Sequence, residues 1–337
     1  MSSLDGVRFW SKPDHTVAGR GTGVFLVLPT VGCYWARRVD GGCRMCNYLA
    51  DAPGKPPSQE QLLETTKKVV DKALLGLEYP VALKFFTSGS FLDSEEVSSF
   101  VRRELVRYVA ERDEIVEIVV ESRPEFVTSD SLVDLQVGGD KYVEVAIGLE
   151  SFDEHVRNFC VNKGVTLEMF EKALNLLREN GLGVKVYLLL KPPYITEKAA
   201  YDDVIKSLVE MERFGVDTVS INPCTVHKGT ETEKLFRRGE YRPPWLWTIL
   251  KVLRKGSKHG YRLLCDPVAA GKPRGPHNCG LCDQNVKAVI ETFSTTQDRD
   301  VLAEPLTCRC QEEWELILTA EEIINTPLNT NPNPPKG

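Results

Sequence analysis

The sequence of 337 residues predicts an α/β fold, namely a partial (β/α)6 barrel followed by a small C-terminal metal-binding appendage. Apolar runs alternate with segments of helical periodicity, and several of the runs are unbroken and β-branched, as in parallel strands buried on both faces. Six such pairs are too few for a complete eight-unit barrel. The predicted strands are 23–29, 82–87, 115–121, 142–150, 184–190 and 218–222, and the predicted helices are 61–77, 95–111, 129–137, 167–180, 198–214 and 244–259.

Cap residues support the helix assignments. Ser94 and Thr196 each precede glutamate at an expected helix start, where a hydroxyl side chain can accept a hydrogen bond from a backbone N–H. Gly181 and Gly215 stand where two helices should end. These signals predict the boundaries of the helices in the second half of the barrel.

The expected domain organisation follows from the same alternation. We expect an N-terminal extension at 1–22, the barrel at 23–240, a C-terminal basic, aromatic and cysteine-rich region at 241–320, and a disordered tail at 321–337, whose end is rich in Asn, Thr and Pro.

Cysteine use and hydropathy indicate the compartment. The ten cysteines are bunched, which in a chain of this length is typical of metal ligation in a reducing compartment rather than of a disulfide framework. No stretch approaches the roughly 20 apolar residues of a membrane helix. The sequence therefore predicts a cytoplasmic protein without a membrane partner.

Three cysteines lie in one glycine-rich loop after the first predicted strand. Nine residues separate Cys33 from Cys43, and two separate Cys43 from Cys46. Three thiolates can hold three corners of a cubic iron-sulfur cluster and leave the fourth iron open for a substrate. The alternative is a zinc knuckle or buried thiols. We predict a 4Fe-4S cluster at these cysteines and radical redox chemistry.

Polar or glycine residues follow each predicted strand. In a parallel α/β sheet the ligand site lies at the carboxyl ends of the strands. The segments at these ends are 33–46, 87–90, 121–123, 148–151, 191–193 and 222–224. The sequence thus predicts an active-site face along this edge.

At these residues the chain resembles the radical S-adenosylmethionine (radical SAM) superfamily, whose motif usually has three residues in the first gap. The nine-residue gap is similar to the elongator catalytic subunit branch, and Met45 stands where an aromatic residue is frequent. The segments that follow the strands resemble the family of archaeosine-forming radical SAM lyases, as do the later cysteine motifs. The similar segments are 87–93, 121–125, 147–151, 189–193, 241–247, 276–283 and 308–310.

The resemblance implies an enzyme that completes archaeosine in tRNA. A partner subunit of this family attaches lysine to 7-cyano-7-deazaguanine in tRNA, and the radical SAM enzyme cleaves the lysine carbon-nitrogen bond. It also implies S-adenosyl-L-methionine as cofactor and an electron donor as a further partner. Ser88, Gly89 and Ser90 resemble the segment that meets the methionine amino group of the cofactor.

Three more residues are candidate cofactor contacts. Glu121 suits the ribose hydroxyls of SAM, because a carboxylate accepts hydrogen bonds, and Arg123 suits the methionine carboxylate. Glu150 is a similar candidate, although a carboxylate at a strand end is as often a helix cap or an ion-pair partner. No catalytic side chain is assigned beyond the cluster.

A second group of soft donors lies near the C-terminus. A Cys-x-x-Cys pair beside a Cys-x-Cys pair is typical of structural zinc, which takes four ligands. We predict zinc, held by four cysteines or by three cysteines and the histidine, and a second iron-sulfur cluster is the alternative. The candidate ligands are His277, Cys279, Cys282, Cys308 and Cys310.

The net charge of −6 argues against nonspecific nucleic-acid binding by the whole surface, but one segment is basic. Residues 237–274 carry ten Lys and Arg against Glu240 and Asp266. Aromatic residues lie among them, so we expect phosphate neutralisation and base stacking on one segment. Alternatively, the tryptophans pack a helix onto the barrel and the basic residues solvate its outer face. The aromatic residues are Tyr241, Trp245, Trp247 and Tyr261.

Two other function classes remain open from the residues. One is a different radical SAM tRNA modification enzyme, of the methylthiotransferase or elongator type. These types carry an additional cysteine-bearing or acetyltransferase-like domain that the sequence leaves little room for. The other is a metal-stapled RNA-binding protein without catalysis, which does not explain why the first cysteine loop is one ligand short.

Overall fold

The structure, a computed structural model, describes residues 2–303 and 305–328. The described chain divides into two compact units. The first comprises residues up to 41 together with 48–148 and 165–185, and the second comprises 42–47, 149–164 and the residues from 186 onward.

The strands are hydrogen-bonded in chain order, which is the order expected when successive strand–helix units are added side by side. Their bounds are β1 Ser2–Leu4, β2 Val7–Thr16, β3 Gly19–Val27, β4 Val81–Phe86, β5 Ile115–Ser122, β6 Tyr142–Glu150, β7 Gly183–Leu190, β8 Thr218–Pro223 and β9 Arg262–Cys265.

Helices separate the strands from β3 onward. Their bounds are α1 Gln59–Leu74, α2 Ser99–Ala110, α3 Ser129–Val133, α4 Leu167–Glu179, α5 Glu197–Arg213, α6 Glu231–Arg237, α7 Leu246–Gly256, α8 Asp283–Thr296, α9 Arg299–Ala303 and α10 Cys310–Ile324.

All six predicted strands are present, and β6 has the predicted bounds. The predicted cap at Thr196 is confirmed, because its side chain accepts a hydrogen bond from Ala199 N. The predicted cap at Ser94 is wrong, since α2 begins later and Ser98 accepts the bond from Val101 N. The glycines expected at the ends of α4 and α5 have positive φ, as a left-handed helix terminus requires.

In the first unit the sheet is mixed. Strands β3 to β6 pair in parallel, as predicted. Residues 1–22, expected as an extension, supply β1, β2 and the start of β3, and β2 pairs antiparallel with β3 from Arg8↔Val27 to Thr16↔Gly19. Trp10 lies opposite Phe25 in this register and stacks on it with ring centroids 5.1 Å apart, which stabilises the pairing of β2 with β3.

In the second unit, β9 pairs in parallel with β8. Strand β9 was not predicted, because it lies within the region expected to form the appendage. Helix α10 continues to Ile324, so the prediction of disorder from residue 321 is wrong for its first four residues, and 329–337 lie outside the described residues. Among the described residues, no helix combines the length and the apolar character needed to cross a membrane.

Candidate active site

Cys33 lies in the turn that follows β3 in the first unit. Gly32 before it has φ +85°, a conformation that glycine adopts without a steric penalty. The Cys33 carbonyl oxygen accepts a hydrogen bond of 3.1 Å from Arg37 N, at the short 3-10 helix Trp35–Arg37. The thiol-bearing residue is half-buried. The glycine conformation and this hydrogen bond therefore fix the backbone on either side of the first predicted cluster ligand.

The turn after β4 passes directly beside Cys33. A Cβ atom built on Gly89 would lie 2.5 Å from Cys33 Cα and 2.9 Å from Cys33 N, closer than real Cβ contacts. Gly89 N donates a 3.0 Å hydrogen bond to Thr87 Oγ1, which holds the turn. Two parts of the predicted site, Cys33 and the segment 88–90, are thus brought together by the absence of a side chain at Gly89.

A buried carboxylate, Glu96, ties the two turns of the first unit together. Its Oε1 accepts a 2.6 Å hydrogen bond from Ser90 N, and its Oε2 accepts one of 2.6 Å from Thr30 Oγ1. Burial raises the pKa of the Glu96 carboxyl, although its hydrogen bonds oppose the shift. Glu96 was not among the predicted site residues, because the sequence pattern placed it inside a helix and only the fold reveals its contacts with the strand ends.

The end of β5 contributes Glu121 and Arg123. The Glu121 carbonyl oxygen accepts a 2.8 Å bond from Phe91 N, and Arg123 N donates a 3.1 Å bond to Ser90 Oγ. The Arg123 guanidinium pairs with Glu125 at 2.5 Å and lies 5.5 Å from the Trp35 ring centroid. Arg123 is thereby positioned beside the turns that hold Cys33 and Ser90, with Glu125 as a partner that the sequence did not indicate.

In the second unit, backbone contacts hold the loop that carries Cys43 and Cys46. Arg44 N donates a 2.8 Å bond to the Val161 carbonyl oxygen, and Glu231 N donates a 3.0 Å bond to the Arg44 carbonyl oxygen. Cys43 and Met45 pack against a buried cluster that includes Cys224 and Tyr241. Met45, unusual for the motif, therefore serves as an apolar packing residue of the loop.

Glu150 ends β6 with φ +70°, which is uncommon for a residue with a Cβ atom. Its Oε1 forms a 2.7 Å ion pair with Lys163 Nζ, and both side chains are largely buried. An ion-pair role for Glu150 was one of the two predicted alternatives, but the sequence did not single out Lys163.

The end of β7 is held by a second buried ion pair. Lys191, with φ +59°, pairs with Glu197 at 2.6 Å. Glu197 Oε1 also accepts a 2.9 Å bond from Trp245 N, and the Tyr241 hydroxyl donates a 2.7 Å bond to the Lys191 carbonyl oxygen. The sequence placed Lys191 at a strand end but did not predict this network, since Tyr241 and Trp245 lie far from Lys191 and Glu197 along the chain.

Comparison with known proteins identifies the family. Residues 27–204 match the radical SAM superfamily. Archaeosine synthase subunit beta of Thermococcus kodakarensis is 40% identical over 314 residues, which cover 92% of this chain and 96% of that protein. The chain belongs to the archaeosine synthase subunit beta family of radical SAM proteins. Another family member, from Methanosarcina acetivorans, is 37% identical and covers 95% of this chain and 92% of its own.

A solved structure supports the fold. The Elp3 protein of Methanocaldococcus infernus with an N-terminal deletion superimposes with a TM-score of 0.50 at 18% identity, covering 69% of this chain and 59% of its own. The predicted fold class, a partial radical SAM barrel, and the predicted family resemblance are confirmed. The prediction of an enzyme is also confirmed.

Superfamily membership implies a 4Fe-4S cluster and SAM as cofactors. The residues of this chain suit the cluster. Cys33, Cys43 and Cys46 are half-buried and offer thiolate ligands, and Gly89 places no side chain against Cys33. None of the ten cysteines, all within the described residues, forms a disulfide bond.

The C-terminal cysteines of the family member converge in the second unit. Their four sulfur atoms lie within 4.8 Å of one another, with Cys279–Cys308 and Cys282–Cys310 each at 3.6 Å. Zinc-sulfur bonds of about 2.3 Å in a tetrahedron place sulfur atoms about 3.8 Å apart, so this spacing suits one tetrahedral ion.

Two N–H groups point at these sulfur atoms. Trp247 Nε1 donates to Cys310 Sγ at 3.3 Å, and Asn278 Nδ2 donates to Cys282 Sγ at 3.3 Å. Such outer contacts orient the ligands of metal sites. The fifth candidate, His277, is outside the four-sulfur group: its Nδ1 lies 2.8 Å from the Gly275 carbonyl oxygen, and burial lowers its pKa to about 4.

The aromatic residues of the basic segment are buried, so the prediction that they stack bases is wrong. Trp245 and Trp247 are each 3% exposed and pack in the core of the second unit, because α7 needs an apolar face against its neighbours. The tryptophans therefore pack the helix as the alternative expected, whereas phosphate neutralisation by the exposed basic residues stays a prediction. The exposed basic residues of α7 and the turn after it, which line a cavity of about 440 Å³ with Tyr201, are Lys251, Arg254, Lys255 and Lys258.

Proposed function

We propose that this protein completes archaeosine in tRNA by cleaving the lysine carbon-nitrogen bond of a lysine-modified 7-cyano-7-deazaguanine. The nitrogen stays on the base as part of the formamidine group, and the remainder of the lysine leaves. When bound, the reduced cluster and SAM supply the carbon radical that abstracts hydrogen from the lysyl side chain.

The likeness to archaeosine synthase subunit beta carries the proposal. It covers 92% of this chain, and therefore extends well beyond the superfamily match at residues 27–204. A relationship limited to the barrel would support only shared cofactor chemistry, since one fold serves many reactions.

Three cysteines are the proposed cluster ligands, and one turn is the proposed site for the methionine end of SAM. Cys33, Cys43 and Cys46 would hold the cluster through their thiolates. The turn Ser88, Gly89 and Ser90 would receive the methionine amino group of SAM; its place beside Cys33 supports this role.

Three charged residues complete the proposed cofactor site. Glu121 would accept hydrogen bonds from the ribose hydroxyls, and Arg123 would pair with the methionine carboxylate. Glu150 is the remaining candidate for a cofactor contact, and its carboxylate is neutralised by Lys163.

The structure of the first unit suggests how the cofactor turn is kept in place. Glu96 accepts bonds from both Ser90 N and Thr30 Oγ1, so its carboxylate is a positioning group for the turn. Because Glu96 is only 1% exposed, water does not compete for these bonds.

The partners follow from the proposed reaction. The substrate is tRNA, and the lysine-transferring archaeosine synthase subunit would supply its modified base. The name subunit beta of the relatives supports a partner subunit. An electron donor would reduce the cluster, and tRNA modification places the reaction in the cytoplasm.

We also propose that Cys279, Cys282, Cys308 and Cys310 bind structural zinc. The sulfur spacing of 3.6 Å supports a single ion over a second iron-sulfur cluster. Within the C-terminal region at 241–320, the bound ion would link the pair Cys279 and Cys282 to the pair Cys308 and Cys310, which a long segment of the chain separates.

The test is an anaerobic assay of the chain reconstituted with iron and sulfide. Reductant, SAM and tRNA carrying the lysine-modified base are added, and the nucleosides of the digested tRNA are analysed by mass spectrometry. We expect archaeosine from the intact chain and none from Cys43→Ala. Release of 5'-deoxyadenosine without archaeosine would contradict the proposed substrate while leaving the superfamily chemistry in place.

A further inference from the structure

Two aromatic side chains of the second unit are exposed although large apolar groups usually pack inside. Phe159 is 53% exposed and Tyr194 is 42% exposed. Their rings lie 6.0 Å apart, and His155 stacks on Phe159 with centroids 4.8 Å apart and planes 16° apart. An exposed group of rings in mutual contact is a ready surface for another flat ring.

Arg44 completes this group. Its guanidinium carbon lies 5.8 Å from the Phe159 centroid and 5.7 Å from the Tyr194 centroid, so one cation contacts both rings. Arg44 Nε donates a 3.0 Å bond to the Phe159 carbonyl oxygen, which fixes the guanidinium in place. We call the four residues His155, Phe159, Tyr194 and Arg44 the aromatic platform.

The aromatic platform is built on the cysteine loop. Arg44 stands between Cys43 and Cys46 in the sequence, and its backbone is bonded to Val161 and Glu231. The cation of the platform therefore belongs to the loop that carries two of the proposed cluster ligands. A substrate group that reacts with a radical generated at this centre needs a position close to it.

The backbone under the platform is irregular. Residues His155–Cys160 form a π-helix, a rare element that is frequent at functional sites. Tyr194 has φ +72°, which strains a bulky residue and persists only where neighbouring contacts determine it. The Tyr194 hydroxyl donates a 3.1 Å bond to Glu231 Oε1, one such contact. Both exposed rings are thus presented by unusual local conformations.

We propose that the aromatic platform stacks the tRNA nucleobase that carries the reacting lysyl group. The inference rests on the proposed function and deepens it by naming the residues that hold the base. A flat heterocycle matches exposed rings with an interposed cation, as in proteins that bind unpaired nucleotides. The nearby carboxylate of Glu231 does not oppose an RNA strand strongly, because it is paired with Lys234 at 3.1 Å and bonded to Tyr194.

The experiment compares Phe159→Ala and Tyr194→Ala with the intact reconstituted chain. Equilibrium binding of lysine-modified tRNA is measured without reductant, and kcat and KM for archaeosine formation are measured with it. Because removal of one base stack typically corresponds to about 5- to 150-fold, each variant should bind tRNA more weakly within that range. The slope of affinity against salt concentration should stay unchanged, since every phosphate-binding cation is still present.

Three further variants keep the result interpretable. Phe100→Ala removes an aromatic side chain of similar exposure, 58%, from α2 of the first unit, and should bind tRNA as the intact chain does. Phe159→Trp and Tyr194→Phe keep a stacking ring and should bind nearly normally. The iron and sulfide content and the melting temperature of every reconstituted variant are measured as well, and they report whether the chain is folded and its centre is loaded.

Two outcomes would overturn the platform inference. One is unchanged tRNA affinity in both alanine variants. The other is loss of affinity for the lysine-transferring subunit with normal tRNA binding, which would make the surface a protein-binding one. If the intact chain binds tRNA but forms no archaeosine, the proposed function fails, and the affinities still decide whether these rings stack a base.

Discussion

Gly89 and Cys33 lie so close that a methyl group on Gly89 would meet Cys33 Cα at 2.5 Å. The two residues come from different strand ends, and their proximity joins the cysteine motif to the turn proposed to bind SAM. A side chain at Gly89 is poorly accommodated, because the atoms that it would meet include the Cys33 backbone.

Gly89→Ala should therefore displace the turn, Cys33, or both. We expect a lower iron content after reconstitution and at least a tenfold decrease of 5'-deoxyadenosine release, since ligand misplacement of about 1 Å can cost about 100-fold in rate. The matched control is Gly54→Ala, because a Cβ there would meet nothing within 4 Å. Equal iron content and equal release in the two variants would show that the turn is not critical.

Asp203 should make stability depend on pH. Burial raises its pKa to about 7, and one carboxylate oxygen, Oδ2, has no hydrogen-bond partner among the described residues. The folded state therefore keeps a proton that the unfolded chain releases near the usual aspartate pKa of 3.8. The stability that this group contributes is full below about pH 4 and disappears as the pH rises through about 7.

Thermal unfolding at pH 5 and pH 8 measures this effect. Asp203→Asn should be more resistant to alkaline destabilisation than the intact chain, because the amide cannot ionise. Asp202→Asn is the control, since Asp202 is exposed and paired with Lys198 at 2.6 Å. Identical pH profiles for the intact chain and Asp203→Asn would contradict the assignment.

The four-cysteine site should hold one zinc ion per chain in addition to the iron of the cluster. Cys310→Ser should lose the zinc and lower the melting temperature, because structural zinc contributes directly to folding. Elemental analysis and thermal unfolding provide the measurement. Cys265→Ala, which removes a buried cysteine outside the four-sulfur group, should lower stability but keep the zinc. Iron in place of zinc at this site would support the second cluster instead.

The exposed basic residues of α7 and the following turn should neutralise tRNA phosphates. Lys255→Glu with Lys258→Glu is a better test than a change at Arg254, whose Nε donates a 2.7 Å bond to the Leu302 carbonyl oxygen. We expect weaker tRNA binding. The slope of the logarithm of affinity against the logarithm of salt concentration should also be shallower by about one for each phosphate that is no longer neutralised. Lys68→Glu, an exposed change on α1, is the control. Unchanged affinity in the double variant would exclude this surface from tRNA binding.

Local patterns predicted the barrel well. The run Tyr142–Glu150 is a strand with the predicted bounds, since an apolar β-branched segment buried on both faces has few alternatives. Thr196 was found as a cap because its hydroxyl bonds within the same helix. In contrast, Ser94 before glutamate resembles a helix start, but α2 begins only at Ser99. Glu96 instead accepts long-range hydrogen bonds from Thr30 and Ser90.

The candidate site was predictable only in part. Cys33, Cys43, Cys46 and the strand-end residues follow from sequence motifs, because the chemistry of their side chains is visible in the sequence. Lys163 and Glu197 lie outside the predicted strand-end segments, and only the fold reveals their ion pairs with Glu150 and Lys191. The sequence also does not show which aromatic residues are exposed and can contact RNA. Trp245 is in the core, whereas Phe159 is at the surface.

The most direct test of the proposed function measures archaeosine and 5'-deoxyadenosine together in one anaerobic reaction on lysine-modified tRNA. We predict that the reconstituted intact chain forms both products and that Cys43→Ala forms neither. Formation of archaeosine by Cys43→Ala, or the absence of both products from the intact chain with its cluster shown to be whole, would contradict the proposal.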